Sequence, residues 1–144
     1  MQIINPTGLG IRNDSGGSGR HGAKRGSRIH DGVDFKCVKD QAILMPVDGL
    51  ISRESLPYKD DLKWRGVYIY NERIEIQMWY FIPFKSVIGK IITVGQVIGY
   101  AQDIGEKYEG VTAHIHVRII KIDPLLLFPE TDEEIYKRAL KEDY

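Results

Sequence analysis

The sequence predicts an all-β fold, a small antiparallel sheet or sandwich with a long N-terminal loop and a short C-terminal helix. Three observations support this fold class. Apolar and polar residues alternate over most of the chain from Val33 onward. Glycine and proline interrupt the alternation at short intervals, as they do between short strands. A helical pattern occurs only at the end, in residues 131–143.

The first long segment, residues 6–32, follows neither the strand period nor the helix period and is rich in glycine, serine, asparagine and aspartate. A loop of this length inside a domain is uncommon and is usually functional or disordered. We expect residues 8–29 to form one wall of a groove. The basic residues in 19–28 are typical of a solvated surface, and their functional role would be to bind substrate carboxylates.

Short strands are predicted after this loop. Residues 33–38 alternate, and residues 41–53 form two strands around a turn at residues 46–49. Residues 66–81 form a hairpin that turns at residues 71–73, and Ile74, Ile76, Met78 and Tyr80 share one face of its second strand. Residues 88–102 contain short strands broken at two glycines, and residues 113–120 form the last strand.

The terminal helix begins near Thr131, where a capping-box pattern and acidic residues precede basic ones, as the helix dipole favours. Its apolar residues form a narrow stripe. We expect this helix to pack on the sheet.

Size and charge limit the function classes. The 144 residues correspond to one domain, 1–144, with 20 basic and 20 acidic residues and a formal net charge of zero. This balance argues against nucleic acid and against an anionic membrane as partners.

The single cysteine, Cys37, excludes an intramolecular disulfide, and its place opposite Asp34 on the strand favours a packing role. We expect a monomer.

No apolar run approaches the ~20 residues of a transmembrane helix. The first residues lack the basic and apolar regions of a secretory signal. We therefore expect a protein that stays inside its producer or leaves it by a route that needs no signal.

The histidines indicate the chemistry. His114 and His116 occupy alternate positions of the last strand, so their side chains point from one face, while Ile115, Val117 and Ile119 point into the core. His30 and Asp34 lie where the long loop enters a strand. Two histidines and one aspartate match the ligand set of a catalytic zinc, which keeps a position for water. His21 has no partner at metal-ligand spacing, and we interpret it as solvated.

The motifs as a set resemble the lysostaphin/LytM-like zinc endopeptidases, peptidase family M23. The resemblance covers nearly the whole chain in the right order: Gly-Leu-Gly-Ile-Arg-Asn-Asp at 8–14, His-Asp-Gly-Val-Asp at 30–34, Pro-Val-Asp-Gly-Leu-Ile at 46–51, Val-Gly-Gln-Val-Ile-Gly at 94–99, Ala-His-Ile-His-Val-Arg at 113–118 and Asp-Pro at 123–124. It implies a sandwich similar to the duplicated hybrid motif.

The resemblance implies that His30, Asp34 and His116 bind Zn²⁺ and that His114 is the general base. It further implies hydrolysis of peptide bonds in bacterial peptidoglycan, in the cross-bridge or the stem. Since no wall-binding module or signal is found, we expect a phage-type lysin, a virion-associated protein or a protein exported by unusual means.

One position departs from the family pattern. The family usually has Tyr-x-His-Leu after the long central strand, and here Tyr80 stands nearest the expected histidine. A phenol can donate a hydrogen bond to an oxyanion, so Tyr80 is a candidate catalytic residue, although a half-buried aromatic is the simpler interpretation.

Two other interpretations stay open at this point. One is a degenerate, non-catalytic domain that binds wall peptide or a partner protein. The other is a sugar phosphotransferase IIA domain, in which the proline-aspartate-glycine turn precedes the histidine element. Here the turn follows that element, which argues against this class.

Overall fold

The computed structural model describes residues 1–141 and confirms the all-β class. Its strands are β1 (Asn13–Asp14), β2 (Gly17–Ser18), β3 (Lys24–Arg25), β4 (Arg28–Ile29), β5 (Val33–Lys36), β6 (Ala42–Leu44), β7 (Gly49–Glu54), β8 (Gly66–Tyr70), β9 (Ile74–Trp79), β10 (Phe81–Pro83), β11 (Ile91–Ile92), β12 (Val97–Ala101) and β13 (His114–Ile122). Short 3₁₀ turns cover Lys85–Val87, Ile104–Glu106 and Pro124–Leu126, and the helix α1 spans Glu133–Lys141.

The strands form two main sheets and two small hairpins. The larger sheet has six strands in the order β11-β7-β8-β9-β13-β5, and the second sheet has the order β10-β12-β6. All pairs in both sheets are antiparallel. The hairpin turn predicted at residues 71–73 is confirmed, since the Asn71 side chain accepts hydrogen bonds from the backbone of Arg73 and Ile74.

The core lies between the two sheets. Ile43 of the smaller sheet and Val67, Met78 and Ile115 of the larger sheet are fully buried and belong to one apolar cluster. Because side chains alternate along a strand, the opposite face of β13 is free for polar residues. This division places the histidines of β13 outside the core.

The segment predicted as an irregular loop, residues 8–29, contains the hairpins β1–β2 and β3–β4. Two-residue strands are too short to show an alternating pattern in the sequence. The segment is joined to β5 by backbone hydrogen bonds from Arg12 to Asp34 and from Asp34 to Gly19. The segment therefore lies along the edge strand β5 of the large sheet, with an isolated bridge between Ile11 and Phe35.

Two packing predictions are wrong. Ile119 is 53% exposed, because at this position its face of β13 borders an apolar cavity with Ile3 and Val117 and is not covered by the main core cluster. The helix α1 has no buried residue; its narrow stripe offers little apolar area, and residues 127–132 that lead to it are exposed. Residues 142–143 of the predicted helix lie outside the described residues. None of the helices among residues 1–141 has the length and apolar character needed to cross a bilayer.

Candidate metal centre

The fold brings His30, Asp34 and His116 together, and all three side chains are buried. Asp34 and His116 are direct partners across β5 and β13, so their side chains leave the sheet on the same face. His30 follows the hairpin β3–β4, and its backbone pairs with Gly22 and Ala23. Residues 86 positions apart in the chain thus share one site.

The distances within this group match a metal site. His30 Nε2 lies 3.2 Å from Asp34 Oδ1 and 3.2 Å from His116 Nδ1. His116 Nδ1 lies 2.9 Å from Asp34 Oδ1. Donor atoms at the corners of a tetrahedron lie about 3.3 Å apart when the zinc–ligand distances are about 2.0–2.1 Å. The residues present therefore fit a zinc ion with three protein ligands.

Hydrogen bonds define which nitrogen of His30 faces the site. Its Nδ1 lies 3.0 Å from the carbonyl oxygen of Arg20. A carbonyl only accepts, so Nδ1 carries the proton and Nε2 keeps a lone pair. That lone pair points toward Asp34 and His116, which is the form a metal ligand requires.

His116 carries a buried nitrogen without a hydrogen bond. Its Nε2 has no hydrogen-bond partner within the described residues, although the Asp31 carboxylate lies 3.3 Å away. A histidine that coordinates through Nδ1 has its proton on Nε2, where a carboxylate or water usually accepts it. Asp31 is the nearest group of this kind, and its contact with Nε2 is close in distance but poorly aligned for a hydrogen bond.

Arg12 orients Asp34. Its Nε donates to Asp34 Oδ2 at 2.9 Å and its Nη1 donates to Asp14 Oδ1 at 2.8 Å. The Arg12 and Asp34 side chains are only 6% and 2% exposed. Because Arg12 occupies Oδ2, the other oxygen of Asp34 is directed at the two imidazoles. Arg12 lies in the motif at residues 8–14, but the motif alone indicates no role for it.

The protonation of Asp34 follows from these contacts. Burial alone would raise its pKa, but without a metal the hydrogen bond from His116 and, in their cationic form, the imidazoles of His114, His116 and His30 lower it from 3.8 to about 2. Asp34 is therefore an anion at neutral pH, as a carboxylate ligand must be.

His114 lies beside the three-residue group on the same face of β13. Its Nδ1 lies 2.7 Å from the carbonyl oxygen of Thr112, so Nδ1 carries the proton and Nε2 keeps a lone pair. Nε2 is 3.7 Å from Asp34 Oδ2. Burial lowers the pKa of His114 below its usual 6.5. A neutral imidazole of this kind can accept a proton at Nε2.

Tyr80 occupies a different position from the one predicted. Its φ of 81° reverses the alternation after β9, so its ring leaves the face of Ile76 and Met78 and joins a separate cluster with Trp64. The ring centroid lies 5.3 Å from that of His114. The predicted shared face is therefore wrong, and Tyr80 faces the candidate site.

The Tyr80 hydroxyl ends a chain of phenols. It lies 3.0 Å from the Tyr58 hydroxyl, which accepts a hydrogen bond from Tyr108 at 3.1 Å. Burial raises the pKa of Tyr80 to about 12, so the hydroxyl keeps its proton at neutral pH and can donate it in a hydrogen bond. Tyr58 and Tyr108 had no signal in the sequence, since each lies in a connection between strands.

These residues line a cleft of about 520 Å³. Trp79 forms part of its wall, with its ring stacked 5.2 Å from His116 and its Nε1 donating to Ser55. Arg25 and Arg28 of the hairpin β3–β4 also line the cleft. The volume falls in the range of ligand pockets, about 300–1,000 Å³.

The glycine in the motif at residues 30–34, Gly32, has a steric reason. A Cβ at this position would lie 2.4 Å from the carbonyl oxygen of Val117 and 2.8 Å from Cε1 of His116. Only glycine allows the chain between His30 and Asp34 to pass this close to β13.

Two further candidates lie outside the site. Cys37 is buried in the main core, where burial raises its pKa to about 12, as expected for a packing residue. His21 lies away from the metal-ligand group and borders a separate apolar cavity with Ile3 and Val117.

The chain matches no protein-family model. Its structure is similar to the catalytic domain of the antimicrobial peptidase lysostaphin from Staphylococcus simulans, with a TM-score of 0.50 and 18% identity over 88% of this chain and 89% of that one. It is also similar to a catalytic-domain variant of the prophage-encoded M23 protein EnpA from Enterococcus faecalis, with a TM-score of 0.53 and 14% identity over 83% of this chain and 88% of that one. The fold is therefore that of M23 peptidase catalytic domains.

A curated relative adds a closer sequence match. Leukocyte cell-derived chemotaxin-2 from Bos taurus is 31% identical over 107 residues, which cover 72% of this chain and 68% of that protein. The chain belongs to the family of leukocyte cell-derived chemotaxin-2.

Proposed function

We propose that this protein is a zinc-dependent endopeptidase that hydrolyses peptide bonds of bacterial peptidoglycan, with His30, Asp34 and His116 as zinc ligands. One observation carries the proposal: three buried donor atoms, two from residues 30–34 and one from His116 far along the chain, lie 2.9–3.2 Å apart. The fold of M23 peptidase catalytic domains supports the reaction class.

The proposed roles follow from the geometry of the cleft. A zinc ion held by His30, Asp34 and His116 would supply a Lewis acid for the scissile carbonyl and would lower the pKa of a bound water to about 7. His114 accepts a proton at Nε2, while its contact with Thr112 holds the ring in the required tautomer. Tyr80 donates a hydrogen bond to the substrate carbonyl oxygen as negative charge develops there.

The setting of this activity is also part of the proposal. A peptidoglycan peptide is the proposed partner, and the net charge of zero is the reason for proposing neither nucleic acid nor a membrane. We propose action on the cell wall by a monomer, as a phage lysin or virion-associated protein. The prophage origin of the EnpA protein supports this setting through similarity of fold.

Metal analysis combined with mass spectrometry of digested peptidoglycan tests the proposal. The purified protein is expected to bind about one zinc per chain. His116→Ala should lose the metal, whereas His114→Ala should keep it and lose hydrolysis. His21→Ala is the matched control, because His21 lies outside the metal-ligand group. Unchanged zinc content in His116→Ala would refute the ligand assignment.

The same experiment addresses the alternative, a non-catalytic domain that binds wall peptide or a partner protein. The observation behind this alternative is Tyr80, which stands where the M23 endopeptidases usually have a histidine. The bovine relative is named a chemotaxin, and a role of that kind would be a binding role. Zinc binding without cleavage of any peptidoglycan would favour this alternative over the endopeptidase.

A further inference from the structure

Charge is unevenly distributed around the cleft of a chain whose net charge is zero. Residues 15–30 contain four basic residues, Arg20, Lys24, Arg25 and Arg28, and no acidic residue. This segment forms the hairpin β3–β4, which lines the candidate metal centre. The cleft is therefore lined by cationic side chains of this hairpin and also by the uncharged aromatic rings of Tyr58, Trp79 and Tyr108.

The acidic groups of the cleft are already paired. The residues that line the cleft include three arginines and only two aspartates. Arg12 binds Asp34 at 2.9 Å, and Asp31 lies 3.5 Å from Arg118 and 3.3 Å from His116. A divalent cation at the proposed centre would add further positive charge. The cleft consequently has a cationic excess that a ligand can neutralise.

The two arginines of the hairpin β3–β4, Arg25 and Arg28, differ in their contacts. Arg25 donates to the carbonyl oxygens of Ser18 and Lys24, and its side chain is 22% exposed. Arg25 thus connects the hairpin β3–β4 to β2 of the first hairpin. Arg28 is exposed, and it makes no ion pair or side-chain hydrogen bond with any residue in 1–141. Its guanidinium group is free to bind a ligand in the cleft.

We propose that the cleft selects peptides that carry a carboxylate close to the bond held at the metal centre, and that Arg28 binds this carboxylate. A guanidinium group matches a carboxylate with two parallel hydrogen bonds, so it distinguishes a carboxylate from an amide of the same shape. The inference rests on the proposed function in taking a peptide as the ligand, but it does not require the peptide to be cleaved.

The carboxylate has two possible sources, a side chain or the peptide C-terminus, and three probes separate them. The first is an acetylated pentapeptide with a central glutamate and an amidated C-terminus. The second has glutamine in place of the glutamate. The third is the glutamine peptide with a free C-terminal carboxylate. Calorimetric titration of the zinc-loaded protein measures the affinity for each.

We expect at least one carboxylate peptide to bind about tenfold more tightly than the neutral peptide. Arg28→Gln should remove most of this preference and leave the zinc content unchanged. Arg138→Gln, on the exposed helix α1, removes the same charge away from the cleft and should keep the preference. The peptide that is preferred identifies the source of the carboxylate.

The inference is overturned if the three peptides bind equally, if none of them binds, or if Arg28→Gln retains the preference. In that last case the carboxylate would be bound by the metal or by another residue. A carboxylate preference that depends on Arg28, together with no cleavage of peptidoglycan, would contradict the proposed endopeptidase and leave the inference standing.

Discussion

Arg12 and Asp34 form a buried ion pair, with Nε of the arginine 2.9 Å from Oδ2 of the aspartate. The contact joins the N-terminal segment to the strand β5 and leaves only Oδ1 of Asp34 to face His30 and His116. A carboxylate that a second residue holds in this way is oriented before any metal arrives. The N-terminal segment is thus part of the site's support as well as a wall of the cleft.

The first prediction concerns this pair. Arg12→Ala is expected to weaken zinc binding about 10–100-fold, because Asp34 loses the group that orients it. Competition with a zinc chelator measures the affinity. Arg73→Ala is the control, since Arg73 forms its partly exposed ion pair with Asp123 outside the cleft. Equal zinc affinities of Arg12→Ala and the parent protein would contradict the positioning role.

A substitution at Gly32 tests whether the backbone there must pass close to Val117 and His116. Gly32→Ala should reduce zinc affinity and the melting temperature together, because its Cβ would collide with the backbone of Val117 and with the His116 ring. Gly10→Ala is a suitable control, since its Cβ would meet only Lys36 Cε at 3.9 Å. If both variants behaved alike, the steric explanation of the motif glycine would be wrong.

Tyr80→Phe tests the proposed donor. The variant should retain zinc and the fold but lose about 10²–10³-fold in kcat on a peptidoglycan peptide, as expected for the loss of one oxyanion donor. Tyr58→Phe removes the hydroxyl that pairs with Tyr80 and should have a smaller effect. A Tyr80→Phe variant with full activity would show that the phenol has only a packing role.

Acid titration tests the charge of Asp34 in the metal-free protein. Its pKa is about 2 in the folded state and 3.8 in an ordinary environment, so folding favours the ionised form. The resulting stabilisation, about 2 kcal/mol, is complete above about pH 4 and is lost as the pH falls through about 2. Unfolding free energies measured in EDTA should therefore show a smaller difference between the parent protein and Asp34→Asn at pH 2 than at pH 5. A constant difference would contradict the lowered pKa.

Deletion of residues 133–144 tests the position of the helix α1. Because none of residues 133–141 is buried, the melting temperature should change by less than about 2 °C. Ile115→Ala, in the core, provides the contrast, since such a substitution costs about 2–5 kcal/mol. A large destabilisation on deletion would show that the helix packs against the domain.

The sequence alone was sufficient for the local features of this protein. Alternation predicted the strands that became β5, β8, β9 and β13, and it placed His114 and His116 on one face. These features depend on neighbours a few residues apart, because successive side chains of a strand point to opposite sides. The M23 resemblance supplied the grouping of His30 and Asp34 with them, and the structure brings His30, Asp34 and His116 together.

Other features were decided only by the tertiary structure. The pairing of Asp34 with Arg12, the reversal at Tyr80 and the phenol chain through Tyr58 depend on contacts between residues far apart in the chain. The wrong predictions for Ile119 and the helix α1 have the same origin. An apolar pattern shows which face of an element can be buried, but whether another element covers that face depends on how far its neighbours extend.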